Sequence, residues 1–422
     1  MAKENKPFDD FFHRLIPNPL RNKLDPYSAA YIRARALSAL LVIISGLGIS
    51  TCALVALLDF MGLPSLRVYL LVISVITALV VLQAVLFYRF QNPWASGMGF
   101  NIFYFLAATV MLVLSGGYDS PGKVFLITCP MIAFLLGGWQ EGIQSAFLTM
   151  LFGLALVTFK YIGFDTPNLF FNENPHVIFI VDWVITIIIT IACFTIYEAG
   201  LEHTHQAPDS YVQDARNRLI RFDNAMENFF HKLVPTDLRQ LDINSRLYAR
   251  ARVLSLMLCA ATLMSGVSMV VLIASHFFLS PALLRYDTNI VVITLLFALQ
   301  TWLFYRYKNP VLSGMLLGYF CFLLIVALVM IGGGYDSPLL ILLAICPLVF
   351  FMVNGLREGI QNGIFVALIG VVFGFLAREN FVFTNVFVDA PPLLTFSIAW
   401  VLTITGICLC LMVYDAQLDK GR

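Results

Sequence analysis

Charged side chains are scarce in this chain, and their scarcity sets the class of protein. Only 12% of the 422 residues are charged and 60% are hydrophobic, whereas soluble domains carry about 25% charged residues. Polar surface is too limited to cover such a chain in water, so lipid must solvate most of it. The net charge of +1 argues against nucleic-acid binding through a broad basic surface.

Residues that commonly carry chemistry are also few or scattered. None of the six histidines lies centrally in an apolar segment, which disfavours a haem or pigment carrier with axial histidine ligands. The eight cysteines lie mostly inside apolar runs and do not suggest a disulfide framework. The sequence contains no Walker A loop, metal-ligand cluster, nucleophile elbow or paired acid–base arrangement. We therefore expect a protein that is not an enzyme and needs no cofactor or metal.

What the chain does contain is a block of sequence that occurs twice, 217 residues apart. One spacing preserved across more than a hundred residues predicts a duplicated unit. Function should then lie in features that occur in both copies. The matching blocks are 87–97 with 304–314, 116–121 with 333–338, 33–35 with 250–252, 129–130 with 346–347 and 141–144 with 358–361.

Each copy contains six apolar segments of sufficient length, since about 20 residues are needed to cross a bilayer. The predicted fold is all-α: a polytopic membrane protein of two tandem, parallel six-helix bundles with about 12 spans. Because six is even, both copies insert the same way round, unlike the inverted repeats of many transporters. The predicted spans are 36–60, 67–88, 97–115, 124–140, 143–162 and 177–197, then 253–279, 289–305, 313–331, 339–356, 360–377 and 393–413.

The distribution of basic residues predicts the orientation and the division into domains. With a cytoplasmic N-terminus, 21 of the 26 Lys and Arg residues fall on the inner side, which predicts that both termini are cytoplasmic. The five on the outer side are Arg67, Lys123, Lys160, Arg285 and Arg378. The predicted division is a cytoplasmic amphipathic segment (1–35), a first bundle (36–197), a cytoplasmic helical linker with a second amphipathic segment (198–252), a second bundle (253–413) and a cytoplasmic tail (414–422).

Similar amphipathic stretches precede the two bundles, at 11–17 and 229–235. Aromatic residues on one side and bases on the other suit an interfacial helix against anionic lipid. The alternative is a short helix packed on its own bundle. The intervening linker is charged, and its segment 212–230 is predicted to be helical.

A Gly-Gly-Tyr-Asp-Ser-Pro turn connects spans three and four of each copy on the outer side. Glycine can end one helix in the left-handed conformation, and Ser120 can cap the next, with proline in its first turn. These roles do not require the Tyr118–Asp119 pair, which leaves a structural reading and a ligand or gating role both open. The corresponding residues of the second copy are Tyr335, Asp336 and Ser337.

Three further features have both a structural and a functional interpretation. Pro130 and Pro347 interrupt span four of each copy, and such interruptions are either packing devices or pointers to a binding site. Asp182 is the clearest acidic residue inside a predicted span, which makes it a functional candidate. Its counterpart, Ala399, is apolar.

The inner turn between spans four and five carries Glu141 in the first copy and Glu358 in the second. A carboxylate in the first turn of a helix is favoured by the helix dipole. Alternatively, the glutamates pair with Arg89 and Arg306 at the inner end of span two and lock the cytoplasmic side.

Each unit resembles the multi-span sensory regions that precede bacterial histidine kinases and diguanylate cyclases. The resemblance rests on the six spans, the outer turn, the proline in the next span and the helical exit into the cytoplasm. The resemblance implies a receptor in the bacterial inner membrane that signals through the helices leaving span six, from Tyr197 and from Tyr414 onward. The chain ends at Arg422 without a kinase, cyclase or receiver domain. The expected partners are therefore the lipid bilayer and a separate signalling protein on the cytoplasmic side, with a homo-oligomer also open.

Three functions are compatible with this pattern. The first is a non-enzymatic sensory or scaffold protein that responds to a small apolar or amphipathic ligand, or to a membrane partner. The second is a transporter or facilitator built from two halves. Coupled transporters usually carry buried ionisable groups along their path, and the scarcity of such groups at mid-span favours the first. A membrane enzyme acting on lipid is the third and lacks a candidate catalytic constellation.

Overall fold

A computed structural model describes most of the two predicted bundles, and structural statements concern its described residues. These are 11–26, 28–60, 67–164, 166, 168, 175–204, 231–240, 246–278, 284–334, 337–379, 381, 383, 396–397, 399–401 and 403–407. The predicted linker helix at 212–230 and the predicted tail at 414–422 lie outside them. Residues 11–204 are called the first half below, and residues 231–407 the second half.

The first half is built from helices joined by short turns. Two 3-10 turns, Gly117–Asp119 and Pro121–Ile127, connect its fourth helix to its fifth. The helix α2 begins at Ala29 rather than at 36, and α7 continues to Thr204 rather than ending at 197. The helices are α1 (Asn18–Lys23), α2 (Ala29–Phe60), α3 (Arg67–Phe90), α4 (Pro93–Leu114), α5 (Thr128–Gly137), α6 (Trp139–Tyr161) and α7 (Pro175–Thr204).

The second half has the same order of elements. It opens with the 3-10 turn Leu238–Gln240, and its last helical residues lie within 396–407. Apart from isolated bridge positions at Ser115, Asn168 and Gly332, the described parts of both halves contain no β-structure. The elements are α8 (Arg246–Phe278), α9 (Leu284–Tyr307), α10 (Pro310–Ile331), the 3-10 turn Pro338–Ala344, α11 (Ile345–Asn354) and α12 (Leu356–Arg378).

The chain is an all-α, multi-pass membrane protein. In the described residues, seven helices are long and apolar enough to cross a membrane: α2, α3, α4, α6, α7, α10 and α12. Three shorter apolar helices cover 122–137, 291–307 and 339–354. Large apolar side chains cover the outside of these helices; Leu71 and Leu323, for example, are 65% and 64% exposed. Lipid solvates such a surface, whereas water does not.

The turn after the second long helix has the same geometry at both positions of the sequence match. Gln91 and Lys308 have φ angles of 54° and 55°, which are uncommon for residues other than glycine. The next residue, Asn92 or Asn309, caps the following helix by accepting a backbone N–H bond at 3.1 Å. This is the cap with a first-turn proline that the Asn-Pro sequence predicts.

The amphipathic stretches pack against the helices of their own half. The hydroxyl of Tyr88 on α3 donates to the carbonyl oxygen of Leu15 at 2.5 Å, and His13 is hydrogen-bonded to Tyr31 on α2. Phe12 is buried, with 4% of its surface exposed. The same contacts recur in the second half, between Tyr305 and Leu233 and between His231 and Tyr248. Of the two sequence interpretations, the packed helix matches the structure.

The proline of span four occupies a junction between two kinds of helix. Pro130 is the third residue of α5, which follows the 3-10 turn Pro121–Ile127, and Pro347 has the same place in α11. In the first turn of an α-helix the missing N–H has no intrahelical partner to lose. The predicted interruption is therefore a change from 3-10 to α-helix rather than a kink within a continuous α-helix.

The predicted orientation can be tested by cysteine accessibility, at sites chosen from the structure. Ser120 and Ser337 are buried, at 0% and 4% exposure, whereas the side chain of Asp119 is 61% exposed. In a cysteine-free background, we expect Asp119→Cys in intact cells to react with an impermeant thiol reagent. Gln140 is exposed at the start of α6, on the side predicted to face the cytoplasm. Gln140→Cys should therefore react only after the membrane is opened. The reverse pattern would overturn the orientation.

Candidate functional site

The end of the helices that carries the Gly-Gly-Tyr-Asp turn is called the outer end below, following the predicted orientation. Gly116 and Gly117 have φ angles of 104° and 59°, which side-chain-bearing residues rarely adopt. The Ser120 hydroxyl accepts a bond from the backbone N–H of Gly122 at 3.0 Å and caps the next turn. In the second half, Ser337 caps Leu339 in the same way at 3.3 Å. The glycines and serines of the turn thus have structural roles.

The Tyr-Asp pair of the first half makes contacts that a helix cap does not require. The carboxylate of Asp119 pairs with the ammonium group of Lys160 at 2.8 Å. The ring of Tyr118 meets the ring of Phe396 from the second half edge-on, with centroids 5.0 Å apart, and Lys123 lies over both rings. Burial, with a smaller contribution from the Asp119 charge, raises the pKa of Tyr118 to about 12. Tyr335 and Asp336 lie outside the described residues.

Asp182 lies beneath this turn and is almost completely buried, with 1% of its surface exposed. Its Oδ1 accepts a bond from the hydroxyl of Tyr69 on α3 at 2.5 Å. A methyl group built on Gly122 would lie 3.3 Å from Oδ2 and 3.4 Å from the hydroxyl oxygen of Ser120. The structure therefore brings two predicted candidates, Ser120 and Asp182, to the same place.

A cavity of about 90 Å³ lies inside the first half, between α2, α3, α4 and α7. Its lining is almost entirely apolar and includes Ile73, Met111 and Ile185. Tyr104 also lines it, and the hydroxyl of this residue is hydrogen-bonded to Thr128 at 2.7 Å. No local sequence signal indicates this cavity, because its lining residues lie on separate helices.

The inner end is organised by a different arginine from the one predicted. Arg33 on α2 donates to the carbonyl oxygen of Gly137 at the end of α5, at 3.0 Å. Arg250 donates to the carbonyl oxygen of Asn354 at the same distance. Cations at a helix C-terminus satisfy free carbonyls and complement the helix dipole. The sequence had a signal for this pair, because both arginines belong to matching blocks.

The predicted lock residues are not joined into ion pairs. Arg89 and Arg306 are exposed on the last turns of α3 and α9, and neither has an ion pair with Glu141 or Glu358 among the described residues. Both glutamates lie in the first turn of their helices, as the dipole interpretation expects. A methyl group built on Gly137 would lie 2.5 Å from the side chain of Glu141, so this carboxylate side chain folds back over the turn.

Two tryptophans hold the halves together through reciprocal contacts. The indole N–H of Trp183 on α7 donates to the carbonyl oxygen of Val366 on α12 at 3.0 Å. The indole N–H of Trp400 donates to the carbonyl oxygen of Thr149 on α6 at 3.2 Å. The second contact involves the residues found 217 positions from those of the first. The contact region formed by Trp183 with Val366 and by Trp400 with Thr149 is called the seam below.

Each indole of the seam lies over a glycine on the opposite helix. A methyl group built on Gly370 or on Gly153 would lie 2.0 Å from the indole nitrogen of Trp183 or Trp400. Each glycine comes four residues after the accepting carbonyl, on the same face of its helix, so it leaves that carbonyl open to a second donor. Each tryptophan also stacks on a phenylalanine one turn earlier, at 5.8 and 5.7 Å between centroids.

Methyl groups at the seam glycines should destabilise the protein. We expect Gly153→Ala and Gly370→Ala each to lower the free energy of unfolding by about 1–3 kcal/mol, the usual cost of overpacking. Gly46→Ala is the matched control, because Gly46 lies in α2 with nothing within 4 Å of an added methyl group. That change should be neutral or stabilising, since alanine favours helix over glycine. Thermal unfolding in one mild detergent compares the three; equal melting temperatures would contradict the seam.

Within the described parts of the chain, no three His, Cys, Asp or Glu side chains are grouped so that they could hold a metal ion. Comparison with known protein families, curated proteins and solved structures found no match for this chain. A functional assignment therefore has to be argued from the contacts themselves.

Proposed function

We propose that this chain is a non-enzymatic sensory or scaffold protein of a bacterial inner membrane. It consists of two parallel six-helix units with twelve spans and cytoplasmic termini. The units meet in a pseudo-two-fold seam, and a change at the outer turn alters how they pack. In a two-fold interface a contact from residue i to residue j is accompanied by the exchanged contact. The reciprocal tryptophan contacts support this arrangement.

The observation that carries the proposal is a continuous series of contacts from the outer turn across the seam. The ring of Tyr118 contacts Phe396, and Phe396 stacks on Trp400. Trp400 then bonds to the carbonyl oxygen of Thr149 in the first half. Occupancy of the outer turn that moves Tyr118 would therefore act through Phe396 on Trp400, which holds the seam.

The seam also lies on the helix that leaves the membrane. Trp183 belongs to α7, which continues as a helix to Thr204, beyond the apolar stretch that ends at Ile196. A shift of Trp183 against α12 would displace the cytoplasmic end of α7. This fits an output carried by a separate protein on the cytoplasmic side, which the resemblance to kinase and cyclase sensory regions implies.

The transporter alternative has less support. A path between two halves needs space at their interface, and here that interface is filled by Trp183 and Trp400, which are 0% and 1% exposed. Each indole N–H is bonded across the interface. A central path would require both bonds to break in every transport cycle.

A distance measurement across the inner end tests the proposed relay. Spin labels are placed at His203, near the end of α7, and at Gln240, which is exposed at the start of the second half. Tyr118→Ala removes the contact with Phe396, and we expect it to shift the label distance by an amount on the order of 1–2 Å, as in helix shifts at interfaces. Pulsed electron–electron double resonance on the protein in nanodiscs measures the distance between the two labels.

The control is Tyr161→Ala, at an outer-end tyrosine that is 80% exposed. This variant should leave the distance distribution unchanged. Both variants must elute as single species at the wild-type volume, so that unfolding does not cause the shift. An unchanged distance in Tyr118→Ala would reject the relay and leave the scaffold role alone.

A further inference from the structure

We propose that the cavity of the first half binds a small amphiphile, with a ring-sized or short-chain apolar body and a head group that donates a hydrogen bond. The body occupies the apolar cavity and the head bonds to Asp182 at its outer end. This inference rests on the proposed sensory function and gives it a site and a ligand class. It concerns the first half alone, because the second half has replaced the residues involved.

Three helices place a polar side chain one turn outward from the cavity. On α3, Tyr69 comes four residues before the lining residue Ile73; on α7, Asp182 comes three before Ile185. Residues at these spacings share one face of a helix. On α4, Ser115 follows the lining residue Met111 by four and is hydrogen-bonded to Ser120. A polar layer thus closes the outer end of an apolar space.

The second half carries different residues at several of the matching positions. The polar residues Ser115 and Asp182 correspond to Gly332 and Ala399. The small lining residues Val80, Ala107 and Ala108 correspond to Phe297, Leu324 and Ile325. The ring of Phe297 packs edge-on against Phe320, with centroids 5.3 Å apart. At these three positions the second half carries larger side chains, and at position 399 it carries alanine in place of the carboxylate.

The size and chemistry of the site define the ligand class. A dry apolar cavity of about 150 Å³ is known to accept benzene; the space here is about 90 Å³ and partly open, which suits one small ring or a short chain. Burying such a body is favourable because it removes apolar surface from water. Asp182 can accept further hydrogen bonds beyond the one from Tyr69. A hydroxyl or amine on the ligand satisfies this buried acceptor.

The position of the site connects it to the outer turn. The Oδ2 atom of Asp182 lies close to Gly122 and Ser120, as the 3.3 Å spacing to a built methyl group on Gly122 indicates. These residues directly follow Tyr118 and Asp119 in the same turn. A head group bound at Asp182 would therefore contact the segment from which the proposed relay begins.

Binding is tested on the full-length protein in nanodiscs with two fluorinated probes, followed by ¹⁹F NMR. The probes, 4-fluorobenzyl alcohol and 4-fluorotoluene, have the same ring and differ in the hydroxyl head. Ala107→Leu combined with Ala108→Ile fills the cavity with the side chains of the second half. Ala327→Leu, on the exposed face of α10, controls for added volume. The filled variant also measures how much probe dissolves in the lipid.

We expect both probes to bind the wild type and the Ala327→Leu control, and to fall to the lipid background in the filled variant. Asp182→Ala should weaken binding of the alcohol by about tenfold, as for a buried hydrogen bond whose partner is removed. It should change binding of 4-fluorotoluene by less than about twofold. If Asp182→Ala does not fold, Asp182→Asn keeps the volume of the side chain and should weaken only the alcohol, by a few-fold.

Wild-type binding that survives in the filled variant, or no binding above the lipid background, would overturn the cavity site. An equal loss of both probes in the Asp182 variants would overturn the assignment of the head group. The same samples can carry the spin labels at His203 and Gln240. If no probe binds but Tyr118→Ala still shifts the label distance, this site is rejected and the proposed function remains. If the probes bind but Tyr118→Ala leaves the label distance unchanged, the proposed function is rejected and the site remains.

Discussion

An indole N–H from each half donates to a helix carbonyl of the other half, and a glycine beneath each ring makes this possible. In the apolar part of a bilayer no water is available to satisfy a buried donor, so an indole without a partner would be costly there. The glycines let the helices approach and leave the accepting carbonyls uncovered, in the way that small residues act at membrane helix interfaces. The outer turn reaches the seam through Phe396, and the exit helix α7 carries Trp183. Both ends of the proposed signal path therefore depend on these two contacts.

The described parts of the two halves share their scaffold, whereas several residues around the cavity of the first half differ at the matching positions of the second. Caps, turns and inner-end arginine bonds recur at matching positions, and these features hold the helices in place. The expectation that function lies in features occurring in both copies therefore points to the residues that hold the helices in place. The differences identify the proposed ligand site, because Asp182 and the small residues around the cavity have apolar or larger counterparts. A pair of similar units in one chain allows such a division, since one unit can retain packing while the other keeps space for a ligand.

Local rules predicted the helices well and the contacts between them poorly. Apolar length located the helices, and the Asn-Pro and Ser-Pro sequences indicated caps at Asn92 and Ser120 that the structure contains. The interruption of span four near Pro130 was predicted, but its form was not, because sequence alone does not reveal the 3-10 turn before α5. The Tyr69–Asp182 bond joins residues 113 positions apart, and the seam bonds join residues 183 and 251 positions apart. No periodicity in the sequence specifies such pairs. The sequence does show that Trp183 matches Trp400 and that Gly153 matches Gly370 at the 217-residue spacing, but it does not show that they are in contact.

The central claim is that the tryptophan contacts of the seam are needed to hold the two halves together, and controlled cleavage of the linker tests it most directly. A protease site is introduced between residues 205 and 230 of the full-length protein, which is purified in mild detergent and then cut. If the seam is correct, the two fragments co-elute as one species, and they separate when Trp183→Ala and Trp400→Ala are combined. Separation of the wild-type fragments under the same conditions, or continued association of the double variant, would contradict the account.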